Sequence, residues 1–194
     1  MEKEIAEIVV GVDPGQNGAF VIMDLTGKAL HVMDFVSPEI TTLDVLALVF
    51  KYRLRLIAIE HVQAAPDQGR TGIFNFGTNF GYWVGLASTF MVPVLFPYPQ
   101  TWQARRIPKK SHPKDKPSLP LAREEFPYVN LKEKQNADRT DALYISDWAR
   151  VQWLKDADNI MKDYDLQIEG VYSSIRYKKR FGMSTDIYER MYWP

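Results

Sequence analysis

Apolar residues near the N-terminus are grouped in short runs that polar turns separate. The first run, residues 8–13, is apolar until its last residue, Asp13, and is typical of a central strand buried on both faces. Residues 14–18 contain Pro, Gly and Asn and indicate a turn, after which apolar runs at 19–23 and 29–35 follow. Because the connections are short, the three runs predict an antiparallel three-strand meander.

Beyond the third run, helical and strand-like spacing alternate. Residues 41–52 predict a helix, and an apolar run at 54–60 that ends in Glu60 predicts a fourth strand. Because a helix connects this strand to the meander, it should lie parallel to the first strand. The side chains expected to pack on the core form one stripe of this helix, Leu43, Leu46, Ala47 and Phe50.

The full pattern indicates an α/β fold. A fifth strand is predicted at 92–96, and further helices at 73–90, 101–106, 119–126 and 137–155. The sequence therefore predicts a mixed five-stranded sheet, an antiparallel three-strand meander plus parallel strands, flanked by helices. We expect one domain at 1–155 and a C-terminal extension of unknown role at 156–194. Its interleaved aromatic and basic residues suit base stacking, but packing on the body or on a partner is the favoured use.

Composition bounds the classes of protein to consider. The 194 residues are 46% hydrophobic, which is enough to bury a core. The absence of cysteine excludes disulfides and thiolate metal sites, and the three histidines are too scattered for a zinc site. With 24 basic and 24 acidic residues, the chain has no overall basic charge for nucleic acid. The sequence shows neither a signal-peptide pattern nor a membrane-length apolar run, so we expect a soluble, cytoplasmic protein.

Two aspartates, Asp138 and Asp141, open the last predicted helix. Three residues apart, they lie on one helix face about one turn from each other. The same stripe continues through Ala142, Ile145, Trp148 and Ala149. Because this stripe should pack on the core, two like charges on it call for a cation, and a divalent metal ion is the simplest candidate. The alternative is that Asp138 caps the helix and Asp141 interacts with its dipole.

Two further carboxylates are expected at the same place. Asp13 and Glu60 end the first and fourth strands, which should be neighbours in the middle of the sheet. The helix-borne Asp138 and Asp141 can close over them. Carboxylate oxygens are the ligands that Mg²⁺ and Mn²⁺ prefer. Together the four acids predict a cage for two divalent ions, which in such sites lie about 3.5–4 Å apart.

A basic, proline-rich segment at 105–116 lies between the fifth strand and the helix that carries Asp138. Its cations are Arg105, Arg106, Lys109, Lys110, Lys114 and Lys116. A solvated surface loop is the simpler interpretation. Its place in the chain instead favours a position that flanks the acidic site.

Three motifs resemble those of the RuvC-like Holliday junction resolvases, which belong to the RNase H-like superfamily. They are Val10–Gly15, Ile57–Glu60 and Asp138–Leu143, in the same order and with similar spacing over roughly residues 8–150. The zero net charge, the basic insert and the C-terminal extension are more similar to the phage-encoded relatives than to the bacterial housekeeping type.

The resemblance implies a homodimer that binds branched DNA, four-way junctions above all, and nicks two opposing strands to give 5′-phosphate ends. It implies two Mg²⁺ ions per active site, with Mn²⁺ as a substitute, in the cytoplasm of a bacterial or phage-infected cell. Asp13 would bridge both ions and Glu60 would hold one. Asp141 and Asp138 would complete the ligand set, although the helix N-terminus also explains an acid at Asp138.

With branched DNA as the expected substrate, the cations of 105–116 are the candidate contacts to DNA phosphates. The resemblance also implies that residues after the second acid probe the junction centre. Gln63, Arg70 and Phe74 occupy that region, as does Phe76, although core packing is the favoured use of either Phe. A stripe of Gly77, Gly81 and Gly85 lies on the following helix. It suits close helix packing, either at the dimer interface or against the sheet of the same protomer.

Other functions remain open on the sequence. An RNase H or a general branched-DNA nuclease would share the fold and the acids. The nucleotide-binding fold of sugar kinases and heat-shock chaperones also opens on a strand that ends in Asp, but it requires a second Gly-rich phosphate loop that this chain lacks. A non-catalytic DNA-binding module is disfavoured because four acids would repel phosphate.

Overall fold

The computed structural model describes residues 5–15, 17–61, 69–104, 107, 118–131 and 136–173. The strands are β1 (Glu7–Asp13), β2 (Ala19–Asp24), β3 (Ala29–Asp34), β4 (Arg53–Ile59) and β5 (Val94–Leu95). The helices are α1 (Pro38–Val49), α2 (Arg70–Ser88), α3 (Pro99–Gln103), α4 (Ser118–Glu125) and α5 (Asn136–Ser173).

The strands form one mixed sheet in the order β3-β2-β1-β4-β5. β1 pairs antiparallel with β2, and β2 with β3, which confirms the predicted meander. β4 lies parallel to β1 and β5 lies parallel to β4, because helices connect these strands. The central strand β1 is therefore flanked by β2 on one side and by β4 on the other.

Alternating side chains of the sheet face two different layers of helices. Ile8, Val10 and Val12 of β1 belong to a core that includes Val45 of α1 and Trp83 of α2. The opposite face of β1 meets α5 at Gly11. A Cβ atom there would lie 2.2 Å from the backbone nitrogen of Ser146 and 2.6 Å from its Cα. The backbones of β1 and α5 can approach this closely only because the residue is glycine.

The predicted core-facing side of α1 is wrong. Leu43 and Phe50 are 68% and 77% exposed, whereas Val45 and Val49 are buried. The helix is apolar on more than one side, so helical spacing fits two stripes equally well. Val45 and Val49 form the buried one because they pack against the branched side chains of the sheet, Val10 among them.

The helix α5 extends beyond the predicted end at Lys155, with non-helical backbone angles at Asp156 (φ −153°, ψ 39°). The chain divides at this point into two compact units, Met1–Lys155 and Asp156–Pro194. The predicted organisation into one domain and a C-terminal extension of unknown role stays a prediction. Across the described ranges, no helix combines the length and the apolar character needed to cross a membrane.

Candidate active site

Asp13 is the last residue of β1 and is only 7% exposed. The turn that follows is tight, since the Gly15 N–H donates to Asp13 Oδ1 at 2.9 Å and the Gly18 N–H donates to the Gly15 carbonyl at 2.9 Å. A Cβ atom at Gly18 would lie 2.5 Å from the Asp13 carbonyl oxygen. The Pro-Gly turn thus holds the Asp13 carboxylate at the C-terminal end of the central strand β1.

Asn79 of α2 supports this turn from the other side, a role that the sequence did not reveal. Its Nδ2 donates to the carbonyl oxygens of Pro14 at 3.1 Å and Gly15 at 2.5 Å. Asn79 is buried on the α2 stripe that also contains Trp83 and Leu86. An amide on an otherwise apolar buried stripe was the available signal, because such a group needs a hydrogen-bond partner.

Glu60 directly follows β4 and lies beside Asp13. The parallel register pairs Val12 with Ile59, and the Glu60 N–H donates to the Val12 carbonyl at 3.0 Å. Side chains two residues apart on a strand share a face, so Gly11 and Asp13 both lie on the α5 side of the sheet. Glu60 lies on the same side because the parallel register places it beside Asp13. The Glu60 carboxylate accepts a 2.9 Å hydrogen bond at Oε1 from Nε1 of Trp102, a residue that sequence reasoning missed.

The start of α5 is tied to the same end of the sheet by an ion pair. Nε and Nη2 of Arg139 donate to the two carboxylate oxygens of Asp34, each at 2.6 Å. Asp34 pairs across the sheet with Ala19, which in turn pairs with Asp13, so all three lie in one cross-strand row. Arg139 stands between Asp138 and Asp141, and the pair therefore brings these two acids over the row that contains Asp13.

The burial pattern of α5 agrees with the predicted stripe only in part, since Trp148 on the stripe is half-buried while Leu143 and Tyr144 beside it are buried. Ala142, Ile145 and Ala149 are fully buried, while Asp138 and Asp141 are half-buried. Asp138 lies inside the helix, in its first turn, so it is not the capping residue. Its negative charge still suits the positive end of the helix dipole.

The four acids interact electrostatically. Burial raises the pKa of Asp13 well above its ordinary value, and the charge of Glu60 raises it further. The Gly15 N–H opposes this rise in the pKa, whereas Asp141 and Asp138 add to it. Burial also raises the pKa of Glu60, and the hydrogen bond from Trp102 opposes that shift. Acids from two distant parts of the chain, Glu60 and the pair Asp138 and Asp141, therefore act on the buried carboxylate of Asp13.

The chemistry of these groups fits a divalent cation. All four supply hard oxygen ligands, and a cation would stabilise the charge on Asp13 that burial and its neighbours disfavour. Among the described residues, however, no three acidic or histidine side chains already form a group that could hold a metal ion. The acids converge without forming a closed coordination shell, and the predicted two-ion cage stays a prediction.

The predicted DNA-contacting residues are only partly described. Arg70 and Phe74 lie at the start of α2, where Phe74 is 73% exposed, so its favoured role in the core is wrong. Phe76 is half-buried. Outside the described residues lie Gln63, Arg105, Arg106, Lys109, Lys110, Lys114 and Lys116.

The glycine stripe of α2 faces away from the sheet. No described atom lies within 4 Å of the position where a side chain would begin at Gly77, Gly81 or Gly85. The interpretation that the stripe packs on the sheet of its own protomer is therefore wrong for the part of the chain described.

Of the comparisons with known proteins, only the one with solved structures found matches, and these bear on the fold. No family model matches the sequence, and no curated protein does. The chain is similar to a structure of Thermus thermophilus RuvC in complex with a Holliday junction substrate, with a TM-score of 0.55 and 18% identity over 77% of this chain and 95% of that one. It is also similar to a Thermus thermophilus RuvC structure, with a TM-score of 0.53 and 16% identity over 77% and 96%. The likeness and the mixed sheet show a RuvC-like fold of the RNase H-like type, and closeness to phage relatives stays a prediction.

Proposed function

We propose that this chain, whose fold is RuvC-like, is a divalent-metal-dependent endonuclease that nicks branched DNA and prefers four-way junctions. The observation that carries the proposal is the buried Asp13 carboxylate, whose charge is opposed by Glu60, Asp141 and Asp138. A concentration of negative charge repels a phosphodiester unless a cation neutralises it. The junction-bound RuvC structure of the same fold supports the choice of substrate.

Asp13, Glu60, Asp138 and Asp141 would hold Mg²⁺, with Mn²⁺ as a substitute, and four acids are enough for two ions. When bound, such ions would lower the pKa of a water molecule for attack on the scissile phosphorus and would stabilise the departing 3′ oxygen, so that the products carry 5′-phosphate and 3′-hydroxyl ends. The protein contributes fixed ligands. The Gly15 N–H orients Asp13, and the indole of Trp102 orients Glu60.

The DNA would approach over the start of α2. Exposed Phe74 can stack on an unpaired base at the junction centre, and exposed Arg70 can contact a phosphate. Gln63 precedes them in the chain, and the basic residues of 105–116 would contact the DNA arms. A second copy of the chain would supply the second nick.

The test incubates the purified protein with four labelled substrates, with and without Mg²⁺: a four-way junction, a Y-fork, a linear duplex and an RNA–DNA hybrid. We expect Mg²⁺-dependent paired nicks in the junction. Asp13→Asn, Glu60→Gln and Asp141→Asn should each abolish nicking while junction binding is kept or strengthened, because negative charge near phosphate is removed. Asp138→Asn should be milder, since Asp138 has the weakest effect of the three on Asp13.

Asp44→Asn is the matched control, since Asp44 lies on α1, the helix that packs on the face of the sheet opposite α5. Full cleavage by Asp13→Asn would exclude the proposed site. Cleavage of the RNA–DNA hybrid alone would make the protein an RNase H, and equal cleavage of forks and junctions would make it a general branched-DNA nuclease.

A further inference from the structure

Trp102 of α3 makes a directed contact with the candidate site. It is 3% exposed, and its indole Nε1–H donates a 2.9 Å hydrogen bond to Oε1 of Glu60. An indole nitrogen is a donor only, and hydrogen bonds to a charged acceptor are among the stronger ones. The bond joins residues 42 positions apart and so ties α3 to the end of β4.

Neighbouring contacts hold α3 and the end of β4 in a fixed relation. The His61 N–H donates to the Pro97 carbonyl at 2.8 Å, and the ring centroids of His61 and Tyr98 lie 4.4 Å apart. His61 is next to Glu60, and Pro97 and Tyr98 immediately precede α3. These contacts therefore hold together the two backbone segments that carry Glu60 and Trp102.

A second buried tryptophan shows that burial alone does not produce such a bond. Trp83 is also 3% exposed, and its ring lies 5.6 Å from that of Phe20 in the apolar core. Within the described residues, the Trp83 Nε1–H has no hydrogen-bond partner. An indole can thus be buried in this protein without an acceptor. The bond from Trp102 to a carboxylate is a specific feature of the candidate site.

We propose that Trp102 is a positioning residue that fixes the orientation of Glu60 for a divalent cation. The inference rests on the proposed function, because Glu60 matters there as a metal ligand. By engaging Oε1, the indole restricts the Glu60 side chain and leaves Oε2 available to the cation. A ligand that is already ordered loses less conformational freedom on binding. Loss of such a partner typically reduces metal affinity or activity by about 10- to 100-fold.

The first experiment measures Mn²⁺ binding to the full, DNA-free chain by isothermal titration calorimetry. Trp102→Phe keeps an aromatic ring but removes the donor, and we expect it to weaken Mn²⁺ binding by about 10- to 100-fold. Trp83→Phe is the matched control and should leave Mn²⁺ affinity unchanged. In a Glu60→Gln background, Trp102→Phe should have no further effect, because the carboxylate it positions is gone.

Wild-type Mn²⁺ affinity in a folded Trp102→Phe variant would overturn the proposal, as would a full additional loss on top of Glu60→Gln. The second readout is junction nicking, where kcat should fall in Trp102→Phe while KM stays unchanged. Mn²⁺ binding that depends on Trp102 in a protein that cuts no DNA would refute the proposed nuclease and leave this inference standing. Normal nicking by Trp102→Phe would refute this inference and leave the proposed nuclease standing.

A measurement on the wild-type protein covers the case in which Trp102→Phe does not fold. The indole N–H resonances of the five tryptophans can be followed by ¹⁵N NMR during a Mg²⁺ titration. The Trp102 resonance should shift, because bound Mg²⁺ changes the charge at Glu60, the acceptor of its hydrogen bond. The Trp83 resonance should stay in place. A Trp102 resonance that does not move at saturating Mg²⁺ contradicts the proposal.

Discussion

At the scale of single residues, Asp13 is both the centre of the proposed site and a source of instability in the metal-free protein. Its pKa is raised in the folded state by burial and by Glu60, so the folded state binds a proton more readily than the unfolded chain does. The favourable contribution is complete below the ordinary aspartate pKa and is lost as pH rises through the raised pKa. Above that range, the cost of ionising the buried Asp13 carboxyl therefore opposes folding.

Asp13→Asn should consequently raise the melting temperature at neutral pH without metal. The amide keeps an oxygen that can accept the Gly15 N–H but carries no charge to desolvate. The gain over wild type should shrink as pH falls through the raised pKa of Asp13 toward the ordinary aspartate pKa. Thermal melts across pH check this, and Mg²⁺ should raise the melting temperature of the wild type only. A less stable Asp13→Asn at neutral pH would contradict the electrostatic account of the site.

The sequence predicted the acids of the candidate site but not the residues that support them. Asp13 and Glu60 were recognisable because each ends an apolar strand. Their supporting contacts join residues far apart in the chain, 42 positions for Trp102 with Glu60 and 65 for Asn79 with Pro14. No local spacing rule relates such pairs, and only the folded backbone brings them within hydrogen-bonding distance.

At the scale of elements, the first turn of α5 is positioned by the ion pair between Arg139 and Asp34. Both side chains are about one-fifth exposed, and the two parallel hydrogen bonds fix direction as well as distance. We expect Arg139→Gln to lower the free energy of unfolding by about 2 kcal/mol. Nicking should fall roughly 10- to 100-fold, because Asp138 and Asp141 are displaced. Chemical denaturation and the junction assay measure the two effects.

Two further variants distinguish positioning from stability. Arg139→Lys keeps the charge but loses the planar pair of donors, so its nicking rate should lie between those of wild type and Arg139→Gln. Glu7→Gln removes an acid that pairs with Arg55 at the opposite end of β1 from Asp13. It should lower stability and leave the nicking rate unchanged. Equal losses of activity in both ion-pair variants would assign the effect of Arg139 to stability alone.

The basic segment at 105–116 belongs to the same scale, and its contact with DNA stays a prediction. Replacing Lys109, Lys110, Lys114 and Lys116 together by Gln should weaken binding to all DNA shapes alike. Each lost phosphate contact should reduce the slope of log affinity against log salt by about 0.9 for duplex DNA. Fluorescence anisotropy at several salt concentrations measures the slope. An unchanged slope would make the segment a solvated surface loop.

The helix α1 shows where element-level prediction ends. The predicted bounds of 41–52 place both ends of this helix three residues too late, since α1 runs from Pro38 to Val49. The local signal for its true start is Ser37 before Pro38, and the Ser37 hydroxyl accepts the Ile40 N–H at 3.4 Å. The orientation of the helix does not follow from the sequence, because apolar residues occupy more than one side. The choice between Leu43 and Val45 as core residues depends on the shape of the sheet surface beneath the helix.

At the scale of the whole molecule, the sequence predicted most of the strand order but not all of it. Short turns impose antiparallel neighbours and a helical connection imposes a parallel one, which predicted the meander and placed β4 beside β1. These rules do not choose the neighbour of β5, which the structure places next to β4 in the order β3-β2-β1-β4-β5. The destination of the α2 glycine stripe was not predictable in this way. No described atom covers the stripe in the single chain, and we propose a second copy as its partner, since a four-way junction, the proposed substrate, has two equivalent strands to cut.

We therefore predict that Gly81→Leu removes the dimer without unfolding the chain. A leucine would keep the backbones of two facing helices apart. It should also favour the helix of the separate chain by about 0.8 kcal/mol, because glycine is a poor helix former at an open position. Analytical ultracentrifugation should show a monomer in place of a dimer, and circular dichroism should show a normal fold. Paired nicks in the junction should become single nicks.

Gly72→Leu is the matched control. Gly72 is also a glycine of α2 with no described atom within 4 Å, but it lies outside the four-residue spacing of Gly77, Gly81 and Gly85. This variant should gain similar helix stability and stay dimeric. If Gly81→Leu also stays dimeric and cuts both strands, the stripe is not the interface. If the wild type sediments as a monomer even on a junction, two separate protein molecules make the two nicks, and the dimer proposal is wrong.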